Sequence, residues 1–240
     1  MTMNFLEMLH ERILVGDGAI GTMLHAQGGA GESCFERLNL SNPDLVLGLH
    51  SDYIAAGSQV IETNTFGANR PRLSAIGLED RVLDVNLSGA RLARKAAAGR
   101  DVFVAGSIGP LPRFRGESDA PTPEEMRALF REQAFALAEG GVDLLFLETF
   151  SDLEQMKIAL AAAKETGLPL VASMAFLERG RIPGGMTVER VSLELAAAGA
   201  AVVGANCGAG TLEMTRNIRR MAAVTSLPLA AYPNSGFPEY

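Results

Sequence analysis

The stretch Val202–Gly210, VVGANCGAG, decides the fold class of this 240-residue chain. A short apolar run breaks into Asn206 and Cys207 and then into glycines, which is typical of a buried strand followed by a glycine-rich loop. In parallel α/β folds the carboxyl ends of the strands carry the binding and catalytic groups. Cysteines are more often small buried hydrophobic residues, so it is the position at a strand end that makes Cys207 a candidate for chemistry.

The same strand–loop–helix unit recurs on both sides of this stretch. Capping residues, N-terminal prolines and terminal glycines delimit the helices, among them a capping box at Thr122 and another predicted at Ser151. The predicted strands are 13–15, 59–61, 102–105, 142–147, 170–175, 201–205 and 227–231. The predicted helices are 4–11, 43–56, 77–99, 122–139, 151–167, 188–198 and 211–225.

Apolar runs of this kind predict strands buried on both faces, hence a parallel sheet that forms either a barrel or an open doubly wound sheet. Polar residues follow almost every strand, which favours a barrel because a barrel brings all its strand ends to one mouth. We therefore expect one domain over residues 1–240, a TIM (β/α)8-type barrel that lacks its last strand and helix. The residues at the strand ends are Asp17, Thr63, Ser107, Glu148, Asn206 and Asn234.

Composition excludes several classes of function. The formal charge of −7 is opposite to that of a nucleic-acid-binding surface. Two distant cysteines predict no disulfide framework, which fits a reducing, cytoplasmic location. No apolar run is long enough to span a membrane, and the acid-containing N-terminus does not resemble a secretory signal.

Asp17 and Glu148 are acids placed directly after predicted strands. A single acid in such a place usually caps a helix or pairs with a basic residue, whereas two acids at one mouth suit an ammonium group or a general base. The amides of residues 18–21 could hold a carboxylate, as glycine-rich turns do. Together these features indicate a pocket for an amino acid. The spacing matches neither a dinucleotide fingerprint nor a P-loop.

Other candidate ligands are weaker. One cysteine does not make a zinc site, because a catalytic zinc takes three protein ligands. None of the three histidines follows a predicted strand, and His50 on its helix is interpreted as a packed or surface residue. Cys34, in a polar glycine-rich loop, is interpreted as incidental.

With these residues in hand, the chain resembles the homocysteine S-methyltransferase family over essentially its whole length. This family includes the homocysteine-binding barrel of cobalamin-dependent methionine synthase, betaine–homocysteine methyltransferase and fusions to methylenetetrahydrofolate reductase. The methionine synthase and reductase-fusion branches match best in detail. The matching blocks, in order, are DGAIGTML (17–24), IETNTFGANR (61–70), VAGSIGP (104–110), LETF (147–150), VGANCGAG (203–210) and PNSGFPEY (233–240).

The resemblance implies roles for individual residues. Cys207 would bind the family's zinc, together with two adjacent cysteines of a GGCCG motif that this sequence does not contain. Asp17 and Glu148 would bind the amino group of homocysteine, and the amides of Gly18 and Ala19 its carboxylate. Two further residues, Thr63 and Asn206, would line the pocket.

The resemblance also implies a reaction and its partners. Zinc would bind the homocysteine thiolate, which would displace a methyl group from an activated donor and give methionine. The donor would be methylcobalamin recharged from methyltetrahydrofolate, S-methylmethionine or a betaine. No nucleic-acid or membrane partner is expected, and the sequence names neither the donor nor the oligomeric state.

Two alternatives stay open at this point. One is a lyase or aldolase-type barrel with Glu148 as base and Cys207 structural. The other is a non-catalytic module that binds homocysteine or a corrinoid protein, because the paired cysteine ligands are missing.

Overall fold

The computed structural model describes residues 4–28, 31–114, 120–177 and 179–235. Six parallel strands, β1–β6, lie side by side in chain order and form one half-barrel sheet. The strands are β1 Val60–Glu62, β2 Phe103–Ile108, β3 Leu144–Phe150, β4 Leu170–Met174, β5 Val202–Gly210 and β6 Leu229–Asn234.

Helices connect these strands, as the alternating pattern of the sequence predicts. The helices are α1 Phe5–Glu11, α2 Ile20–Ala26, α3 Leu38–Ser41, α4 Pro43–Ala55, α5 Arg70–Ser74, α6 Val82–Ala97, α7 Pro123–Glu139, α8 Leu153–Ala163, α9 Val188–Ala198 and α10 Thr211–Ala222. Short 3₁₀ turns precede α3 and α6 and follow α8. None of the helices in the described ranges has both the length and the apolar character needed to cross a membrane.

The predicted first strand, 13–15, is wrong as a full strand. Only Gly16 forms a bridge, with Val60, while the Val15 carbonyl accepts the amides of Gln59 and Val60. The other side of this segment has no partner strand in the described residues, and Ile13 is 91% exposed. Within the described ranges the seven predicted strands are therefore corrected to six, with a bridge at Gly16 in place of the first. Closure by a further strand stays a prediction.

Two helix starts test the capping predictions. Thr122 forms the predicted capping box with Glu125, and Pro123 occupies the first turn of α7. The box predicted at Ser151 is wrong, because Asp152 caps α8 by accepting the amides of Glu154 and Gln155. The Asp152 carboxylate is a stronger acceptor for the free amides of the first helical turn than the Ser151 hydroxyl, which accounts for the shift of the cap by one residue.

Side chains alternate between two apolar layers along each strand. In β3, Leu145 and Leu147 pack outward against the helices, whereas Leu144 and Phe146 face the interior of the half-barrel. We call the interior set the apolar layer; it consists of Val60, Ala105, Leu144, Phe146, Val171 and Val202. Helix α1 covers this layer, where Phe5 lies edge-on to Phe103 at 5.6 Å between ring centroids.

Candidate active site

The same alternation places polar side chains directly beyond the apolar layer. Two residues after Val60, Phe146 and Val171 come Glu62, Glu148 and Ser173, and the same step from the inward-facing Ala105 reaches Ser107. Because successive inward positions are two residues apart, all of them face the interior at the carboxyl ends of the strands. Asn206 reaches the same level on β5. We call Glu62, Ser107, Glu148, Ser173 and Asn206 the polar layer.

Two neighbouring irregularities shape the mouth of the half-barrel. The register shifts between Leu147 and Phe150 on β3, and between Asn206 and Gly210 on β5. Within these shifts Thr149 and Cys207 have φ angles of +61° and +54°, which few non-glycine residues adopt. Bulges of this kind re-aim side chains next to functional sites. Here they bring the Thr149 hydroxyl to 3.8 Å from the Cys207 sulfur.

Asn206 holds the two irregular segments together. The Thr149 amide donates to Asn206 Oδ1 at 2.9 Å, and Asn206 Nδ2 donates to Thr149 Oγ1 at 2.6 Å. The Ser173 hydroxyl also donates to Asn206 Oδ1, at 2.8 Å, and Asn206 Nδ2 reaches Glu148 Oε2 at 3.1 Å. Since Asn206 is 2% exposed, this network fixes the positions of Thr149 and Glu148 in a buried setting.

The loop before α2 supplies the opposite wall of the site. Asp17 is 8% exposed, and its Oδ2 accepts the Glu62 amide at 2.8 Å. Gly18 and Ala19 are exposed and follow directly, and the Tyr53 hydroxyl donates to the Ala19 carbonyl at 3.2 Å. On the far edge, Tyr232 of β6 lies so close to Gly16 that a Cβ there would meet its hydroxyl at 2.1 Å.

One cavity of about 920 Å³ joins these parts. It runs along the apolar layer and opens at the polar layer. All seven residues predicted from the sequence line it: Asp17, Gly18, Ala19, Thr63, Glu148, Asn206 and Cys207. Thr63 is engaged with the protein, because its hydroxyl contacts the Thr65 hydroxyl at 2.5 Å and accepts the Ser107 amide at 3.0 Å.

Burial raises the pKa of three acids that line the cavity, Asp17, Glu62 and Glu148. The pKa of Asp17 is raised to about 8, mainly by burial; the nearby Glu148 contributes to this rise, and the hydrogen bond from the Glu62 amide opposes it. Burial also raises the pKa of Glu62 well above its ordinary value, with Glu148 and Asp17 adding to the effect. The pKa of Glu148 is raised by burial as well, although hydrogen bonds from Ser107, Glu62 and Thr149 oppose it.

Cys207 is half-buried and lines the cavity together with the acids. Burial raises the pKa of its thiol, and the hydrogen bonds from Thr149 and Asn206 oppose that rise. Without a cation, the thiol is therefore protonated at neutral pH.

The described residues do not form a metal site by themselves. Among them no group of three or more His, Cys, Asp or Glu side chains is arranged to hold a metal ion. Cys207 supplies one soft ligand, whereas a catalytic zinc takes three from the protein. The described residues alone therefore do not complete a zinc site.

Sequence reasoning missed three cavity residues. Glu62 ends β1 on the inward face, Thr149 occupies the bulge after Glu148, and Tyr232 reaches across from β6. Inward alternation from Val60 was a signal that could have identified Glu62. The bulge at Thr149 and the approach of Tyr232 to Gly16 depend on long-range packing and leave no local signal.

The remaining candidates lie away from this cavity or on its rim. His50 is fully buried and both its ring nitrogens are without a partner in the described residues, as expected for a packed histidine. The Cys34 thiol donates to Glu36 Oε2 at 3.2 Å, and burial together with Glu36 raises its pKa to about 12. Asn234 lines the rim. The block 233–240 lies outside the described residues from 236 onward.

Fold and site together define a parallel α/β barrel-type domain with an acid-lined cavity at the strand ends. Residues 14–240 match the model of the family described as homocysteine S-methyltransferase. The chain belongs to this family of methyltransferases, as the resemblance of its motifs implied.

Individual relatives agree with this assignment. The chain is 30% identical to methionine synthase of Mycobacterium tuberculosis (strain ATCC 25618 / H37Rv) over 98% of its own length. It spans 21% of that relative, about a fifth of the length of the curated protein it matches. The solved structure of the homocysteine methyltransferase MmuM from Escherichia coli, in its metallated form, superposes with a TM-score of 0.85 at 26% identity, covering 96% of this chain and 86% of that one.

A more distant likeness shows the fold alone. The carboxyl transferase domain of Rhizobium etli pyruvate carboxylase superposes with a TM-score of 0.55 at 18% identity, covering 94% of this chain and 36% of that one. The family match removes the main support for a lyase that uses Glu148 as base.

Proposed function

We propose that this chain binds homocysteine in the cavity of Asp17, Glu148 and Cys207 and serves as the acceptor domain for methyl transfer to its thiol, giving methionine. The observation that carries the proposal is that one cavity brings together the buried Asp17, the half-buried Glu148, the backbone of residues 18 and 19 and the sulfur of Cys207. These are the groups that an amino acid with a thiol side chain requires.

Each part of the substrate has a proposed partner. The ammonium group would donate to Asp17, whose Oδ1 is buried without a partner in the described residues, and to Glu148. The carboxylate would accept the amides of Gly18 and Ala19 at the start of α2, where no side chain caps the helix. The thiol would then point toward Cys207, beyond Thr63 and Asn206. Asn206 would act by keeping Glu148 and Thr149 in place.

The chemical step is a displacement at carbon. The homocysteine thiolate would attack the methyl group, forming an S–CH₃ bond while the bond to the donor breaks and its electron pair leaves with the donor. A free thiol has a pKa of about 8.5, so ionisation is the step that needs help at neutral pH. Zinc would supply that help when bound, and Cys207 is the residue of this chain that would bind it.

The proposal extends to the methyl donor, the cellular location and the domain organisation. The donor would be methylcobalamin, charged from methyltetrahydrofolate, or S-methylmethionine. The likeness to methionine synthase supports methylcobalamin as the donor. The likeness to MmuM, of which this chain covers 86%, supports a homocysteine methyltransferase much shorter than methionine synthase. A cytoplasmic location and a single barrel domain over residues 1–240 complete the proposal.

One observation favours a second candidate. Since the described residues provide one metal ligand, the chain could bind homocysteine or a corrinoid protein without turnover.

Titration calorimetry with homocysteine, with and without Zn²⁺, separates the two. Binding that depends on zinc supports the methyltransferase, and binding of equal strength without zinc supports the non-catalytic module. No binding under either condition contradicts both. An assay for methionine with each donor, run on the chain and on any longer form, then identifies the methyl source.

A further inference from the structure

The cavity holds more negative groups than the proposed roles use. Asp17, Glu62 and Glu148 all line it, and burial limits the exposure of Asp17 and Glu62 to 8% each. Among the described residues that line the cavity there is no Lys, Arg or His. Buried acids without a basic partner are costly unless a proton or a bound cation compensates them. Glu36 also lines the cavity, but it accepts the Gly67 amide and the Cys34 thiol. Glu62 has no role so far.

The three acids differ in how far the protein satisfies their oxygens. Glu148 accepts the Ser107 hydroxyl at 2.6 Å, the Asn206 amide at 3.1 Å and the Thr149 hydroxyl at 3.4 Å. Asp17 accepts the Glu62 amide on Oδ2, while its buried Oδ1 has no partner in the described residues. The Glu62 carboxyl has no hydrogen bond from a backbone amide or a hydroxyl of the described residues, and the ionisable groups around it are Asp17, Glu148, Cys207 and two tyrosines, Tyr53 and Tyr232.

Open acceptors thus concentrate on Asp17 and Glu62, on one side of the polar layer. Both belong to adjacent segments, since Gly16 is bridged to Val60 and the Glu62 amide holds Asp17. An α-ammonium group has three N–H donors, and each needs an acceptor once the group leaves water. Asp17 and Glu148 account for two of the three.

We infer that Glu62 is a third binding residue for the ammonium group of the substrate amino acid, accepting the N–H that Asp17 and Glu148 leave free. This inference rests on the proposed function and deepens it. The site would then select for an amino acid over a plain thiol acid by three converging carboxyl groups.

The competing explanation is that Glu62 only positions Glu148, by donating a shared proton to it. The two roles differ in the ligand they affect. A positioning role would alter the whole pocket and every ligand in it. A contact to the ammonium group matters only for ligands that carry one.

The experiment pairs variants of Glu62 with two ligands, homocysteine and 4-sulfanylbutanoate, which is homocysteine without its amino group. Calorimetry is done on the full chain with Zn²⁺ present. We expect Glu62→Met to weaken homocysteine binding about ten-fold or more, as for the loss of a hydrogen bond to a charged group. Binding of 4-sulfanylbutanoate should stay within about two-fold of the unchanged chain.

Glu62→Gln is the conservative variant, because it keeps an oxygen acceptor and a donor toward Glu148. Its affinity for homocysteine should lie between those of the unchanged chain and Glu62→Met, and its affinity for the analogue should not change. Glu139→Gln, an exposed acid at the end of α7 and at the opposite end of the sheet, controls for the loss of one charge. It should leave both affinities unchanged.

Equal weakening of both ligands in Glu62→Met, or no weakening of either, overturns the inference and leaves the proposed function standing. If Glu62→Met does not fold by circular dichroism, Glu62→Gln decides. A loss of affinity for homocysteine alone then supports the contact. An equal change in affinity for both ligands, or no change for either, overturns it. If the unchanged chain binds neither ligand, the proposed function fails and the inference fails with it.

Discussion

The two layers inside the half-barrel lie one inward step apart on the same strands, yet they differ in almost every physical respect. The apolar layer, with Phe146 and Leu144 as its bulkiest members, is covered by α1 and belongs to one hydrophobic cluster. The polar layer carries buried acids, two residues with positive φ beside it and an amide network. Burial of the apolar layer stabilises the fold, whereas the polar layer retains groups whose burial opposes folding. Such an arrangement is expected where binding, not stability, has determined the residue types.

The largest expected effect is the loss of methyl transfer when Cys207, at the polar end of the cavity, is replaced. In any form of the protein that shows methyl transfer, Cys207→Ala should abolish it, because the sulfur that would bind the metal is lost while the cavity keeps its shape. Methionine formation and bound zinc are measured together.

Cys34→Ser is the matched control for that experiment. Cys34 is the other cysteine of the chain, and its thiol donates to Glu36 instead of lining the cavity. It should retain activity. Near-normal activity with bound zinc in Cys207→Ala would refute the assignment of Cys207 as a ligand.

The second effect lies in the apolar layer. Phe146 is 2% exposed and its ring lies 5.3 Å from that of Tyr232, so Phe146→Ala should lower the free energy of unfolding by about 3–5 kcal/mol. Denaturant titration measures it. Ser107→Ala, one strand over in the polar layer, should cost only about 1 kcal/mol for its lost hydrogen bond to Glu148. Similar costs for both would contradict the division into a stabilising and a binding layer.

The origin of the layers explains how much the sequence could predict. Helix α9 has the bounds predicted for it, and the capping box at Thr122 is where the motif indicates, because caps and periodicity are local. Glu148 and Cys207 line one cavity as expected, since parallel strands bring their carboxyl ends to one edge. Asp17 lines it as well, although its segment forms a single bridge to β1 instead of the predicted strand.

What could not be predicted depends on contacts between distant segments. The positive φ of Thr149 is held by Asn206, more than fifty residues later in the chain. The 13–15 segment reads as an apolar strand, but strand pairing also needs a partner, and it has one on a single side in the described residues. The cap of α8 at Asp152 in place of Ser151 was decided by competition between neighbouring acceptors.

The third effect is the pH dependence of homocysteine binding, and it tests Asp17, which faces the polar layer across the cavity. In the proposed complex Asp17 would bind the ammonium group as a carboxylate, and burial raises the pKa of Asp17 to about 8. Below that value homocysteine would have to displace a proton, so its affinity should fall by up to about ten-fold per pH unit, and by about fifty-fold from pH 8 to pH 6. Calorimetry across this range measures the slope.

Asp17→Asn separates this effect from the other groups that face the same cavity, namely Glu62, Glu148, Tyr53 and Tyr232. The variant should bind weakly with a flatter pH profile. A wild-type affinity that rises as the pH falls would show that Asp17 does not act as the carboxylate partner.

The smallest effect tests a buried titratable group that lies outside both layers. His50 on α4 is fully buried, and burial lowers its pKa from 6.5 to about 4. The unfolded chain therefore binds a proton that the folded chain does not, so the stability contributed by neutral His50 is present above pH 6.5 and is lost as the pH falls toward 4. At pH 5 the loss should be about 2 kcal/mol relative to pH 7.5.

His50→Leu should remove this part of the acid sensitivity, whereas His25→Gln, which changes an exposed histidine at the end of α2, should keep it. Unfolding free energies at pH 7.5 and pH 5 for the three proteins give the difference directly, because the contributions of the acids are common to all of them. Homocysteine affinity should be the same in all three at each pH, since His50 does not line the cavity. A change in affinity without a change in stability would place His50 among the binding groups, and the separation between buried groups that bind and buried groups that only affect folding would then fail.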